Sequence, residues 1–463
     1  MNANFQSFLK SIKGKNVGVV GIGISNTPVI TMLAKAGANV FAYDKNEQQN
    51  LGDVANELID LGVTLVCGKD YLDSLSGDII IKTPGLRFDH PALVRAKQNG
   101  AQITSEMELF FEYCPCKIIA VTGSDGKTTT TSIIYQMLKA SGKTVHLGGN
   151  IGKPLLPQID NISADDIVVA ELSSFQLHTM QTSADIAVVT NLSPNHLDMH
   201  KDMDEYVFAK TNIFSHQDKN GVVVLNYNNR ITNGFESIAK GTVLKFGFDS
   251  APDCDGTFYK DNTIFYKQGD SIIPVVKKSD ILIRGDHNVQ NYMAAITALF
   301  GIVPVEVMQN TARTFSGVRH RIEFVATKNG VSYYNDSIGS SPSRTIATLK
   351  SFDQKVILIA GGYDKNLSYD PLAPEILAHA KALFVTGATA NKIKLAVESC
   401  KEFENAKIDI FVIDDFDDTI KTAAAYATDG DVVLLSPASA SFDKFKNFEV
   451  RGDRFVSIVN QLN

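Results

Sequence analysis

Short apolar runs rich in Val, Ile and Leu alternate along this chain with longer segments whose apolar residues fall at helical spacing. The first unit is "KNVGVVGIGISNTPVITMLAKAGANVFAYD". An apolar strand runs into a glycine turn, a helical stretch follows, and a second strand ends in Asp44. The pattern returns more weakly at "GDIIIKTPGL", and the register changes around "ITSEMELFFEYCP", which predicts a linker near residue 105. A second block opens with the strand "KIIAVTG" and continues through "DIVVAEL", "ADIAVVTNL" and "GVVVLN". "GTFYKDNTIFYKQGDSIIPV" reads as antiparallel strands with polar turns, and "GDHNVQNYMAAITALFG" as a helix with Asp286 as its N-cap. A third block starts near Gly317, where "GVSYYND", "KVILIAGG", "KALFVTG", "IDIFVID" and "DVVLLSP" alternate with helical segments. Such alternation predicts an α/β protein with parallel sheets and helices on both faces. The expected divisions are 1–105, 106–317 and 318–463.

Composition narrows the function more than the fold. Hydrophobic residues at 44% and charged residues at 21% fit a globular chain, and the net charge of −7 argues against a broad nucleic-acid-binding face. Any anion must therefore be held locally, by glycine turns and single cations. The five cysteines are too scattered for a disulfide framework, and Cys114-Pro-Cys116 has no second pair to complete a zinc site. A reducing cytoplasm is the expected compartment. The N-terminal "MNANFQSFLKSIKGK" lacks the apolar core of a signal peptide, and no apolar run is long enough to suggest a membrane span.

The strongest chemical signal is "VTGSDGKTTTT", with a strand before it and a helical run after it. Gly123 and Gly126 allow backbone N–H groups to turn onto phosphates, Lys127 supplies charge, and the Thr128 hydroxyl can hold Mg²⁺. The common spacing of such a loop puts a glycine where this chain has Val121. "GIGISN" lacks the third glycine of a dinucleotide fingerprint, because Asn26 stands there; an ordinary tight turn explains it equally well. Glu171 ends the strand of "VVAELSSFQL", where it could bind Mg²⁺ or simply start a helix. "TNLSPNHLDMH" contains His196 and His200, but its proline-containing, loop-like context does not align them as a zinc pair. Lys210, in "YVFAKTNIF", reads by itself as a surface lysine.

Taken in order, "TGSDGKTTT", "GGNIG", "ELSSFQL", "NLSPNHLDMH", "FAKTNIF", "GDHNVQNYMAA", "HRIEFV", "NDSIGSSP" and "LSPASASFDKFKNFEVRGDRF" resemble the Mur ligases, ATP-dependent amide-bond ligases of peptidoglycan synthesis. The resemblance spans essentially the whole chain, and the final motif points to the member that adds D-glutamate to UDP-N-acetylmuramoyl-L-alanine. It implies a Rossmann-like N-terminal domain for the UDP substrate, a P-loop central domain for ATP and a Rossmann-like C-terminal domain for the amino acid. This family has the shorter phosphate loop, which accounts for Val121. The resemblance implies that ATP is held by Gly123, Ser124, Asp125, Gly126, Lys127, Thr128 and Thr129, with Asn291 at the adenine and Arg321 and Asp336 contributed by the third domain. Thr128, Glu171, His196 and Lys210 correspond to metal-site residues, with Lys210 carbamylated beside a second Mg²⁺, and Lys127, His196 and Lys210 as the catalytic group. Gly23, Ser25, Asn26, Asp44, Thr83, Gly85 and Asn150 fall on the UDP-substrate side, and Lys365, Ser441 and Phe448 in the D-glutamate pocket. After "NDS" the family often has Lys and then Thr; this chain has Ile338 and Ser340, keeping a hydroxyl but not the charge.

The same resemblance implies a cytoplasmic monomer with no nucleic-acid or membrane partner. A sibling ligase adding another amino acid, or a folylpolyglutamate synthase, is the nearest alternative, although no "DNPR"-type diamino-acid motif is present. The related amidotransferase partner carries a four-cysteine zinc ribbon that this chain lacks. An NAD-dependent oxidoreductase would leave the phosphate loop without a purpose.

Overall fold

Val17, Val19 and Val20 are all buried, as a strand covered by helices on both faces must be. In the computed structural model, which describes residues 2–193 and 200–462, they lie on the middle strand of a five-stranded sheet. That strand, Asn16–Val20, pairs in parallel with Asn39–Asp44 on one side and Ile79–Ile81 on the other. Thr64–Cys67 and Gln102–Thr104 complete the sheet, also in parallel. Alternating side chains feed two cores: Val17 and Val19 pack into one, Val20 and Ile80 into the other.

The central sheet has nine strands. Lys117–Thr122 runs between Ile167–Glu171 and Ile186–Val189, parallel to both. The register sets Val121 beside Glu171 and Thr122 beside Val189, so the phosphate loop and Glu171 leave the sheet at the same edge. In an open parallel sheet that carboxyl edge is where ligands bind. The three strands Gly256–Lys260, Thr263–Gln268 and Ser271–Lys277 form the expected antiparallel extension. After the loop, helix Lys127–Ala140 buries Ile133, Ile134, Met137 and Leu138, a stripe at helical spacing.

The third sheet has six strands, parallel except for the antiparallel edge strand Glu323–Lys328. Along Val356–Gly361, Val356, Leu358 and Ala360 enter one core while Ile357 and Ile359 enter the other. This is the double-sided burial that the uninterrupted apolar run "VILIAG" predicts.

The chain divides into two compact units: Met1–Asp280 with Val289–Thr311, and Ile281–Asn288 with Ala312–Asn463. The first holds both the five- and nine-stranded sheets, the second the six-stranded sheet.

Two local expectations change. The segment after residue 105 is a helix, Glu106–Tyr113, capped by the Ser105 hydroxyl, which accepts from Glu108 N–H at 3.2 Å. It is anchored: buried Glu106 accepts from the N–H groups of Leu155 and Leu156 at 3.1 and 2.9 Å. Asp286 is the first residue of helix Asp286–Leu299 rather than its cap, because Gly285, with φ +95°, makes the turn that precedes it. Among the described residues, no helix is long and apolar enough to cross a membrane.

Candidate functional site

The phosphate loop is built by two glycines that have no room for a side chain. Gly123 has φ +146° and a Cβ there would run into the Thr190 hydroxyl; Gly126 has φ +78° and a Cβ would meet the Asn291 amide. Lys127 opens the following helix, and its Nζ donates to the carbonyls of Gly123 and Ser124 at 3.0 and 2.9 Å. Its position at a helix N-terminus joins a fixed charge to the positive end of the helix dipole, the arrangement that holds phosphate. Thr128 and Thr129 lie in the same turn, half-buried, while Asp125 is exposed.

The neighbouring strand end fixes the loop from below. Thr190 donates to Asp125 C=O at 2.6 Å, and the Asn191 side chain both accepts from Asp125 N–H at 3.0 Å and donates to its carbonyl at 3.2 Å. Asn291 accepts from the Thr130 hydroxyl at 3.2 Å, so this residue, expected at the adenine, also buttresses the loop.

Helix Met203–Thr211 closes the other side. The Tyr206 hydroxyl meets Ser124 Oγ at 2.9 Å. Lys210, far from being a surface lysine, is 1% exposed; its Nζ donates to Thr122 Oγ1 at 3.1 Å and Gly123 C=O at 2.9 Å. Burial, and secondarily the charge of Lys127, hold its pKa well below the ordinary lysine value. Glu171 is also buried; its Oε1 accepts from Asn150 Nδ2 at 2.7 Å, but its Oε2 has no hydrogen-bond partner. An ionised oxygen buried without a partner costs free energy unless a cation meets it. Hard divalent cations prefer such oxygens. Glu171 and Lys210 stand beside the loop, and Asn150, expected on the UDP-substrate side, bonds to Glu171. His196 lies outside the described residues.

His178, His200 and Glu205 also set three donor atoms within 4.8 Å of one another. Glu205 and His200 are already engaged. Glu205 receives a two-pronged bond from Arg87 at 2.9 and 3.1 Å, and His200 contacts Glu205 at 3.1 Å and the Ser174 hydroxyl at 2.9 Å. Arg87 holds the Glu205 carboxyl down to about 2, and burial lowers the His200 pKa, favouring neutral imidazole.

In the glycine turn of the first sheet, Asp44 accepts from the N–H groups of Ile22 at 2.7 Å and Asn46 at 2.8 Å, and buried Asn26 donates to Val20 C=O at 2.9 Å. Both therefore shape the turn. Ser25 has no side-chain cap bond, Gly23 has open space around it, Ile24 is 89% exposed, and Thr83 packs against Gly21. Gly85 follows on the exposed loop beyond Thr83.

The second unit gathers its candidates at the carboxyl ends of neighbouring strands. The loop carrying exposed Lys365 joins the segment carrying Ser441 through Tyr363 N–H to Ala440 C=O at 2.8 Å. Buried Arg451, hidden in "FEVRGDRF", donates from Nε to Ser337 Oγ at 3.0 Å, and Ser337 donates to Phe448 C=O at 2.8 Å. Arg321 is half-buried, and its electrostatic influence reaches Asp336.

Asp336 is buried, with Oδ2 accepting from Thr348 at 2.7 Å and Ser436 at 2.8 Å. Burial outweighs these bonds and raises its pKa from 3.8 to about 6. The folded state therefore keeps a proton that the unfolded chain releases. This contribution to stability is complete below the ordinary value of 3.8 and lost as pH rises through about 6. Asp336→Asn removes the titration, so the melting temperature of the wild type relative to this variant should fall between pH 4 and pH 7, values chosen to bracket the shift. A constant difference would mean that the carboxyl titrates normally.

Sequence reasoning missed Thr190, Asn191, Tyr206 and Arg451, which hold other groups in place. The only signal for the first two was a polar pair ending the apolar run "ADIAVVTNL".

The sheets and the loop define a phosphate-loop nucleotide-binding protein of the α/β class. Its three parts match, in order, the family descriptions Mur ligase MurD-like N-terminal domain over residues 15–105, Mur ligase middle domain over 121–299, and Mur ligase glutamate ligase domain over 320–439. The chain is 50% identical over 463 residues to a UDP-N-acetylmuramoylalanine–D-glutamate ligase of Clostridium beijerinckii, covering 100% of each chain. It is 50% identical over 465 residues to the protein of that name in Acetivibrio thermocellus, again covering 100% of each. Among solved structures it resembles the UDP-N-acetylmuramate–alanine ligase of Thermotoga maritima, with TM-score 0.56 and 19% identity over 96% of this chain and 99% of that one. A UDP-N-acetylmuramoyl-L-alanyl-D-glutamate–2,6-diaminopimelate ligase gives TM-score 0.56 and 16% identity over 92% and 93%. These two likenesses show a shared fold. The chain belongs to the Mur ligase family.

Proposed function

We propose that this protein joins D-glutamate to UDP-N-acetylmuramoyl-L-alanine with cleavage of ATP, a step of peptidoglycan precursor synthesis. The observation that carries this reading is the 50% identity, over the full length of both chains, to ligases named for that reaction. A carboxylate is a poor electrophile, so the terminal alanine carboxylate first takes the γ-phosphoryl group of ATP, and ADP is the leaving group. The D-glutamate amine then attacks the acyl phosphate, the amide bond forms, and phosphate leaves. The protein's main task is to neutralise anions and hold the amine in line.

Lys127 and the loop residues Gly123, Ser124, Asp125, Gly126, Thr128 and Thr129 take the phosphates, with Asn291, Arg321 and Asp336 completing the nucleotide contacts. Thr128, Glu171 and Lys210, together with His196, would hold Mg²⁺, which supplies positive charge between the phosphates when bound. Glu171 supports this assignment through its unpartnered buried oxygen. Lys210 is carbamylated in this reading, which turns a buried amine into an oxygen ligand. Asp44 and Asn26 set the turn at which Gly23, Ser25, Thr83 and Gly85 receive the UDP group, and Asn150 faces the same substrate. The domain boundaries are 1–105, 106–317 and 318–463, and the enzyme acts as a cytoplasmic monomer.

Phosphate release with UDP-N-acetylmuramoyl-L-alanine, offering D-glutamate, L-glutamate, L-alanine and diaminopimelate in turn, tests the assignment. Turnover with D-glutamate alone is expected; activity confined to another amino acid overturns it. Lys365 supplies the ammonium for the second carboxylate of glutamate, which alanine lacks, in a pocket with Ser441 and Phe448. Lys365→Ala should therefore raise the KM for D-glutamate roughly ten- to hundredfold, and that for ATP far less. Equal effects on both would place Lys365 at the nucleotide.

A further inference from the structure

The segment "KTPGLRFDH" leaves the carboxyl end of strand Ile79–Ile81 and carries Thr83 and Gly85, assigned above to the UDP-linked substrate. Arg87 lies on this loop, half-buried. Its guanidinium makes two separate forks. One goes to Asp89 on its own segment, Nε to Oδ1 and Nη2 to Oδ2, both at 2.9 Å. The other crosses to Glu205 on helix Met203–Thr211, Nη1 to Oε1 at 2.9 Å and Nη2 to Oε2 at 3.1 Å. Glu205 lies in the first turn of that helix and Lys210 in its last.

From Glu205 the contacts run on without a break. Its Oε1 meets His200 Nδ1 at 3.1 Å, and His200 Nε2 meets Ser174 Oγ at 2.9 Å. Ser174 starts the short helix that follows Glu171. The rings around the relay interlock: Phe175 stacks on His200 at 5.2 Å, Tyr206 meets it edge-on at 5.3 Å, and Phe88 packs edge-on against His178 at 4.3 Å. Tyr206 in turn touches Ser124 of the phosphate loop. The space left among Lys82, Gly85, Arg87, Phe175, His178 and His200 is about 10 Å³, room for about one water. The loop thus packs one side against these residues while Gly85 and Phe88 stay exposed.

We infer that Arg87 is a positioning residue: through Glu205 it locks the substrate-side loop 83–88 onto the helix that carries Lys210, so that the UDP-linked substrate meets a preset loop. This role rests on the function proposed above. Arg87 touches neither reactant in this account and acts by holding Thr83 and Gly85 in place. A fork is required because two carboxylates are bridged at once, a geometry that a single ammonium does not reproduce.

The test is calorimetric titration of the full-length protein with UDP-N-acetylmuramoyl-L-alanine, and separately with a non-hydrolysable ATP analogue, alongside steady-state kinetics. Arg87→Ala should weaken binding of the UDP substrate roughly tenfold while binding of the ATP analogue changes less than about twofold. Arg87→Lys should not restore it. Glu205→Gln should weaken it similarly, and the double variant Arg87→Ala/Glu205→Gln should be no worse than the weaker single, because both remove the same lock. A general loss of structure would instead lower the affinity for both ligands and the melting temperature together, which overturns the role. Wild-type affinity in Arg87→Ala, or fully additive losses in the double variant, overturns it as well. A wild-type protein that binds the UDP substrate but shows no D-glutamate-dependent phosphate release refutes the proposed reaction alone. Failure to bind that substrate at all refutes both.

Discussion

Lys127→Ala should abolish phosphate release while leaving the fold intact. The lysine lies at the N-terminus of helix Lys127–Ala140, where its charge adds to the positive end of the helix dipole. Its bonds to the Gly123 and Ser124 carbonyls are among the contacts a substitution would lose. The loop keeps other supports: Lys210 also donates to the Gly123 carbonyl, and Thr190 and Asn191 hold Asp125. The helix keeps its buried stripe of Ile133, Ile134, Met137 and Leu138. Stability should therefore change little, whereas a charge aimed at phosphates in a closed site is worth several kcal/mol in the transition state, on the order of a hundred- to thousandfold in rate or more. Circular dichroism melts and titration with the UDP substrate provide the controls, since both should stay near wild type. Near-normal phosphate release in Lys127→Ala would sink the assignment of this loop to ATP.

How much of this was legible in the sequence depended on how local the cause was. Strands such as "VILIAG" and "IIAV" announced themselves because burial on both faces demands an unbroken apolar run. The phosphate loop was readable because Gly123, Gly126, Lys127 and the helix start are adjacent in the chain. Lys210 was not: "YVFAKTNIF" gives no sign that the ammonium is buried against Thr122 and Gly123, since that follows from a pairing across 87 residues. The Arg87–Glu205 fork spans 118 residues, and neither residue stands in a chemical motif. Asn26 and Asp44 were selected for the UDP group, but local sequence could not separate a residue that touches a ligand from one that shapes the turn beside it. Their bonds to Val20 C=O and Ile22 N–H make turn-shaping their structural task. Asn291 shows the same ambiguity, placed for the adenine by family resemblance and bonded to Thr130 in the fold.

Lys210→Ala should lose most activity, and short carboxylates such as formate or acetate should restore part of it. A lysine 1% exposed, with Lys127 close enough to lower its pKa further, is biased toward the neutral amine. Only the neutral amine attacks CO₂; the new C–N bond forms as one C=O π bond opens, and a proton is released to leave a carbamate. That step places a negative charge and two hard oxygens near Glu171, whose Oε2 is buried without a hydrogen-bond partner. Two anionic groups there would repel each other unless a divalent cation joined them, which ties the modification to the metal site. Truncation at Lys210 deletes the oxygens, and a small carboxylate entering the vacated space can replace them, whereas a neutral or cationic additive cannot. Activity should fall on the order of a hundredfold in the variant. A separate readout is independent of turnover: isotopically labelled bicarbonate should give the wild-type protein a carbamate carbon resonance that Lys210→Ala lacks. A fully active Lys210→Ala enzyme, or identical spectra for the two proteins, would refute the carbamate and leave Lys210 as a buried ammonium that braces Thr122 and Gly123.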